Sequence, residues 1–159
     1  MNKTIWAPWR IEYILGEKEP GCFLCRMFSE VSDRENLILK RGKSCAVVMN
    51  RYPYNSGHLM ITPFRHLESL ELLTAEERIE MMDLTVKTIQ VLKKELRPDG
   101  INVGYNLGTA AGAGLKDHIH QHLVPRWNGD TNFMPVLANT RVMPQALLEQ
   151  YDALFPLFQ

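Results

Sequence analysis

His118, His120 and His122 stand at alternate positions in the segment His118-Ile119-His120-Gln121-His122, and they are three of the five histidines in the chain. In an extended strand, alternate side chains share one face with a repeat of roughly 6.6 to 6.8 Å, so the three imidazoles would form a row. A buried ring needs polar partners, which makes such a row a poor way to fill a core. The pattern therefore points to catalysis or metal binding over an incidental cluster of satisfied histidines. Imidazole is substantially unprotonated at neutral pH, so it can attack an electrophile or exchange protons without the activation that a serine or lysine needs. For attack at phosphorus it is an apt nucleophile, and His120 is the central member of the row.

Two other groups of residues invite chemistry. The run Gly108-Thr109-Ala110-Ala111-Gly112-Ala113-Gly114 just precedes the row, and it is too poor in side chains to fill a core. Its Gly112-Ala113-Gly114 part could aim backbone N–H groups at anionic oxygens, although glycine-rich turns are common and no Gly-Lys-Ser/Thr follows to make a P-loop. Cys22-Phe23-Leu24-Cys25 has the spacing that brings two thiolates to one tetrahedral zinc. Small buried cysteines and a redox pair are the competing readings, and the further ligands would come from His58, His66 or the histidine row.

The elements that must position these residues are legible in outline. Asn36 to Arg41 and Cys45 to Met49 read as strands joined by a turn around Gly42, and His58 to Thr62 reads as a third strand that stops before Pro63. Thr74 and Glu77 form a capping box, after which Ile79, Met82, Val86, Ile89, Leu92 and Leu96 recur at helical spacing. That stripe predicts the longest helix, about 20 residues, packed on the sheet with its methionines as core filling. Pro98-Asp99-Gly100 ends it, Ile101 to Asn106 reads as a strand, His118 to Val124 as another terminated by Pro125, and Val142 to Phe155 as a last helix.

A length of 159 residues fits one domain over 1–159 and suffices for a real core. Basic and acidic residues both number 18, which argues against dominant attraction to nucleic acid or an anionic membrane. The N-terminal apolar stretch is short and broken by Pro8 and Arg10, so it reads as neither signal peptide nor spanning helix. Cys22, Cys25 and Cys45 do not suggest a disulfide framework. Together these features imply a cytoplasmic protein.

The motif His118-Ile-His-Gln-His-Leu-Val, with Asn106 and the glycine loop upstream and Pro125-Arg126 downstream, resembles the histidine-triad family of nucleotide hydrolases and transferases. The similarity extends through Asn50-Arg-Tyr-Pro-Tyr-Asn-Ser-Gly-His58-Leu-Met-Ile-Thr-Pro63 and through Pro125-Arg-Trp-Asn-Gly-Asp-Thr-Asn-Phe133. With Trp6-Ala-Pro-Trp-Arg10, these flanks are most similar to the branch containing bacterial diadenosine tetraphosphate phosphorylases.

The resemblance implies an α+β domain with an antiparallel sheet packed by helices, a homodimer, and attack of His120 on the α-phosphorus of a dinucleoside polyphosphate. It places Asn50 at the ribose, Asn106 and Gly112, Ala113 and Gly114 at phosphate, and His122 at the oxygens around the reacting phosphorus. Arg126 and Asn132 become candidates to position the polyphosphate or the acceptor, although an exposed arginine and a turn asparagine are also ordinary structural features. Zinc-containing relatives match here at Cys22, Cys25, His66 and His118, which implies a structural zinc with all four positions filled by protein and no organic cofactor. The acceptor implied by the branch is orthophosphate; hydrolysis of dinucleotides or nucleoside phosphoramidates is the rival activity, and a nucleotide-binding regulatory protein is the non-enzymatic alternative. The chain departs from the common pattern in having Ala113 and Gly114 where relatives carry Gln or Ser, in an Asn106-to-His118 spacing one residue longer, and in a polar Gln121.

Overall fold

The computed structural model describes residues 21–130 and 146–159. The Trp6 to Arg10 segment, Asn132 and the expected helix start at Val142 lie outside those residues.

A five-stranded, wholly antiparallel sheet organises the chain, with β1 (Ile38–Arg41), β2 (Cys45–Met49), β3 (Leu59–Pro63), β4 (Gly100–Tyr105) and β5 (Gln121–Arg126) in the spatial order β1-β2-β3-β5-β4. Among the described residues three α-helices accompany it: α1 (Phe23–Ser29), α2 (Ala75–Glu95) and α3 (Leu147–Leu154). The expected α+β class with an antiparallel sheet is therefore observed.

Burial on both faces explains why β2 reads as an unbroken apolar run. Cys45, Val47 and Met49 join Leu59, Ile61, Leu92, Leu123, Tyr151 and Leu154 in the core beneath α2 and α3. Ala46 and Val48 point the other way, into a smaller cluster with Ile38, Met60 and Leu24 of α1. Glu80 of α2 fixes the β1–β2 turn, accepting from the backbone N–H of Lys43 at 2.6 Å and of Ser44 at 2.7 Å. Because α1 covers the second face over β1 to β3, the same face of β5 and β4 is left open.

Several boundaries move from their sequence positions. Leu37 has φ of 60°, in the left-handed region, so β1 begins at Ile38 and not at Asn36. Pro63 belongs to β3 and pairs with Cys45, and β4 runs one residue earlier than expected. β5 begins at Gln121 and continues through Pro125, which faces Ile101 in the ladder. Proline forfeits one donor, but its fixed φ suits extended chain. His118 and His120 thus occupy the approach to the strand, not the strand itself.

The long helix forms as predicted, with Glu77 N–H donating to Thr74 Oγ1 at 3.2 Å and Thr74 N–H to Glu77 Oε2 at 2.8 Å. The expected apolar stripe is only partly buried. Ile79, Met82 and Val86 are 63%, 59% and 49% exposed, whereas Ile89, Leu92 and Leu96 pack on the core as expected, and Met81, Thr85 and Thr88, which lie outside that stripe, are buried beside them. Thr85 has a physical reason to face inward: its hydroxyl lies 2.6 Å from Gln121 Oε1 and 2.7 Å from the Met81 carbonyl; the buried Thr88 hydroxyl has no such partner among the described residues. Among the described residues no helix is long and apolar enough to cross a membrane.

Candidate active site

The chain around His118 brings two separate polar centres together. On the α1 side, Cys22 Sγ lies 3.2 Å from His118 Nδ1, Cys25 Sγ lies 3.5 Å from the same atom and 3.4 Å from His66 Nδ1. The four ligand atoms all fall within 4.8 Å of one another. His118 Nε2 is 2.8 Å from the Pro63 carbonyl, which can only accept. The ring proton is therefore on Nε2, and Nδ1 turns a bare lone pair toward the thiols, the arrangement that orients metal-ligating histidines. Tetrahedral zinc with ordinary Zn–S and Zn–N bonds has sulfur-to-nitrogen edges of about 3.5 Å. The residues present fit that ion. Burial, followed by the neighbouring Cys22, raises the Cys25 pKa, a cost that a bound cation would reverse.

On the open face, His120 Nδ1 is 2.8 Å from the His118 carbonyl. The same logic fixes the proton on Nδ1 and leaves Nε2 bare. Burial lowers the His120 pKa, so its ring is neutral at pH 7. His122 lies beside it, with ring centroids 4.8 Å apart and planes at 77°.

His58 does not belong to the metal cluster, where it had been a candidate ligand. It heads β3 on the same face as Met60, and the Met60 to His122 pairing brings it against β5. The Tyr54 backbone N–H donates to His58 Nδ1 at 3.0 Å, and His58 Nε2 lies 2.9 Å from His122 Nδ1. A backbone N–H can only donate, so His58 Nδ1 accepts, its proton sits on Nε2 and passes to His122 Nδ1, and the His122 proton is left on Nε2. That outward nitrogen is 3.5 Å from Asn106 Nδ2, also a donor, so the two N–H groups stand side by side and are not bonded to each other. Tyr54 covers the pair, its ring 4.6 Å from His58 and 5.6 Å from His122. Burial, then the two neighbouring imidazoles, pushes His58 down to about 3. Burial and His120 push His122 down to about 4.

From His122 an open cleft of about 360 Å³ runs over β4 and β5 to Arg126, walled by Tyr54 and Asn55. Asn50, at the end of β2, accepts the Tyr52 N–H at 2.8 Å and lies 3.4 Å from His58 Nδ1. The glycine loop folds into a 3-10 turn at Thr109–Ala111 flanked by Gly108 and Gly112 with φ of 79° and 86°. Its Gly112 N–H donates to Thr109 O at 3.0 Å and its Ala113 N–H to Gly108 O at 3.3 Å. To receive an anion, those two amides would exchange an internal bond for an external one. Arg126 is held by Asp130 through two bonds of 2.6 and 2.8 Å and by Asn102 at 3.0 Å, so much of its charge is already matched. The structure thus brings His118, His120, His122, Asn106 and Arg126 onto one approach, separates Cys22, Cys25 and His66 to the far side of His118, and adds His58 and Tyr54. The signal for His58 was local: a histidine at a strand start, two residues before and on the same face as the buried Met60.

This geometry has clear relatives. Residues 32–129 match the HIT domain model, and the chain belongs to the HIT family and is an enzyme of that family. It is 44% identical over 153 residues to a Mycobacterium tuberculosis protein named AP-4-A phosphorylase, covering 91% of this chain and 78% of that one. A Schizosaccharomyces pombe protein named bis(5'-nucleosyl)-tetraphosphatase (asymmetrical) is 30% identical over 93 residues, 58% of this chain and 50% of the relative. Among solved structures, a zinc-bound histidine-triad protein from Mycobacterium smegmatis superposes with a TM-score of 0.68 at 24% identity, over 87% of this chain and 93% of that one.

The hydrogen-bond polarity is directly measurable. In nitrogen-detected imidazole spectra at pH 6, His58 and His122 are both expected neutral with the proton on Nε2, with apparent protonation of the pair confined to the region of pH 3 to 4. A His122 that titrates near 6.5, the ordinary histidine value, contradicts the chain of donors described above.

Proposed function

We propose that the protein transfers a nucleotidyl group from a dinucleoside polyphosphate to orthophosphate through His120. The observation that carries the reading is the bare Nε2 of His120, created by the Nδ1–H bond to the His118 carbonyl. In the first step a bond forms from Nε2 to the α-phosphorus and the bridging P–O bond breaks, its electron pair departing on the nucleoside polyphosphate. The ring keeps its Nδ1 proton and becomes cationic, and the His118 carbonyl stabilises it. The Nε2–H of His122 faces the phosphoryl oxygens as negative charge redistributes, and Asn106 with the Gly112, Ala113 and Gly114 loop completes the set of donors. Asn50 would hold the ribose. In the second step an oxygen of orthophosphate attacks phosphorus and the Nε2–P bond breaks, restoring neutral His120. Diadenosine tetraphosphate would give ATP and then ADP. The named Mycobacterium tuberculosis relative supports phosphate as acceptor. The Schizosaccharomyces pombe relative favours water as the second reading, with ATP and AMP as products.

Cys22, Cys25, His66 and His118 would hold one structural zinc, pinning α1 to the chain that carries His120. When bound, the ion supplies cross-linking and charge neutralisation for the thiolates, with no coordination position open to water. The thiols this requires suit a cytoplasmic setting. We further assign Ile79, Met82 and Val86, together with the edge strand β4, to a homodimer interface, since an exposed apolar stripe and an unpaired edge both call for cover.

Rapid acid quench is expected to trap a nucleotide on His120 in the wild type and none in His120→Ala. With labelled orthophosphate the label enters ADP. ATP and AMP formed at a phosphate-independent rate instead make the protein a hydrolase, and substantial activity in His120→Ala rejects the nucleophile. Elemental analysis should find about one zinc per chain, falling in Cys25→Ala together with thermal stability, because site formation is coupled to folding. A zinc-replete preparation that folds without metal rules the site out. Native mass should be near twice 18.3 kDa and fall to the single-chain value in Val86→Lys. A wild type already at single-chain mass would dismiss the interface.

A further inference from the structure

Beyond His122 and Asn106, the cleft continues over residues to which the reaction above gives no role, and its floor has a particular shape. Gly104 pairs with His122 across the β4–β5 ladder, and Val124, two residues beyond His122, pairs with Asn102. Directly paired residues present neighbouring Cβ positions on one face. A Cβ built at Gly104 meets nothing within 4 Å, and its φ is one that any residue adopts. The glycine is therefore required neither by backbone conformation nor by packing. What its missing side chain provides is open space beside the outward nitrogen of His122.

We propose that this cleft receives the leaving group, a nucleoside polyphosphate, and that Gly104 keeps it open; the inference rests on the nucleotidyl-transfer reading above. Displacement at phosphorus places attacking and leaving groups roughly in line. His122, Val124 and Arg126 line the cleft and His120 does not, so a group departing away from His120 and past His122 enters it. The strand from His122 to Arg126 spans about 14 Å, more than a single phosphate occupies. Arg126 at the far end is matched by Asp130, while Asn102 and the Tyr54 ring border the path. Amides and an aromatic face suit a nucleoside at that end better than further phosphates. Asn50 directly follows β2 and the cleft lies over β4, on opposite sides of β5 in the sheet order, which keeps the transferred and departing nucleosides apart.

The test compares two donors of the same nucleotide, diadenosine tetraphosphate and adenosine 5'-phosphoramidate, whose leaving group is a small amine. Gly104→Leu should lower kcat/KM for the first by about tenfold or more and leave the second within about twofold, since discrimination by a filled pocket commonly reaches that size. Val124→Phe narrows the cleft farther from His122 and should show the same selectivity, which keeps the inference testable if Gly104→Leu folds poorly. Equal losses on both donors in both variants would mean that the new side chains merely disturb His122, and unchanged rates on both would place the leaving group elsewhere; either overturns the proposal. A wild type that forms no nucleotide adduct on His120 from either donor instead removes the reading on which it rests, and the inference with it.

Discussion

His118 turns its two ring nitrogens and its carbonyl in three different directions, and the rest of the site depends on that division. Its Nε2–H is tied to the Pro63 carbonyl on β3, its Nδ1 faces Cys22 and Cys25, and its own carbonyl receives the Nδ1–H of His120. The next residue, Ile119, donates its N–H to the Leu67 carbonyl at 2.7 Å, which fastens the same stretch to the segment bearing His66. Each bond removes a rotation or a tautomer from a neighbour. The bare nitrogen of His120 is thus a consequence of backbone placement, and no charged residue is required to create it.

The second histidine pair is ordered by the same logic from a different starting point. The Tyr54 N–H is an obligatory donor, so the direction of both following protons is determined once the Asn50 to Gly57 loop is in place. Burial then keeps both rings neutral, because a charged imidazole would lose hydration with no carboxylate beside it to compensate. Neutral rings can donate and accept in sequence, whereas a doubly protonated His58 would break the order. Gln150 supports the loop from α3, accepting the Gly57 N–H at 2.9 Å and donating to Ser56 at 2.8 Å.

Much of this was legible in the sequence, and the failures have physical causes. The C-x-x-C spacing and the capping box are local patterns that appear where their spacing put them, whereas of the alternating histidines only His122 lies within β5. Strand limits moved by one to three residues because Leu37 takes a left-handed conformation and because Pro63 and Pro125 continue their strands. The face of α2 was read correctly in its second half, at Ile89, Leu92 and Leu96, and wrongly in its first, where Ile79, Met82 and Val86 are exposed and Met81 and Thr85 are buried. Nor did spacing reveal the partner of His58, because its contact with His122 crosses from β3 to β5.

Gln121 joins these two errors. A polar residue between His120 and His122 and a threonine on the inner face of a helix each look unfavourable alone, since a buried hydroxyl or amide without a partner costs about 1 to 3 kcal/mol. Together they satisfy one another, and the bond ties α2 to the residue between His120 and His122. The N-terminus of α2 is anchored by a second such link. Arg65 donates to both carboxylate oxygens of the buried Glu77 at 2.6 Å, and Glu77 also closes the capping box. Arg65 directly precedes His66, so the helix start is bound to the segment of the Cys/His cluster while Thr85 binds its middle to the histidine strand. The long helix is therefore a brace between the two polar centres, which accounts for Glu77 and Thr85 on its inner face.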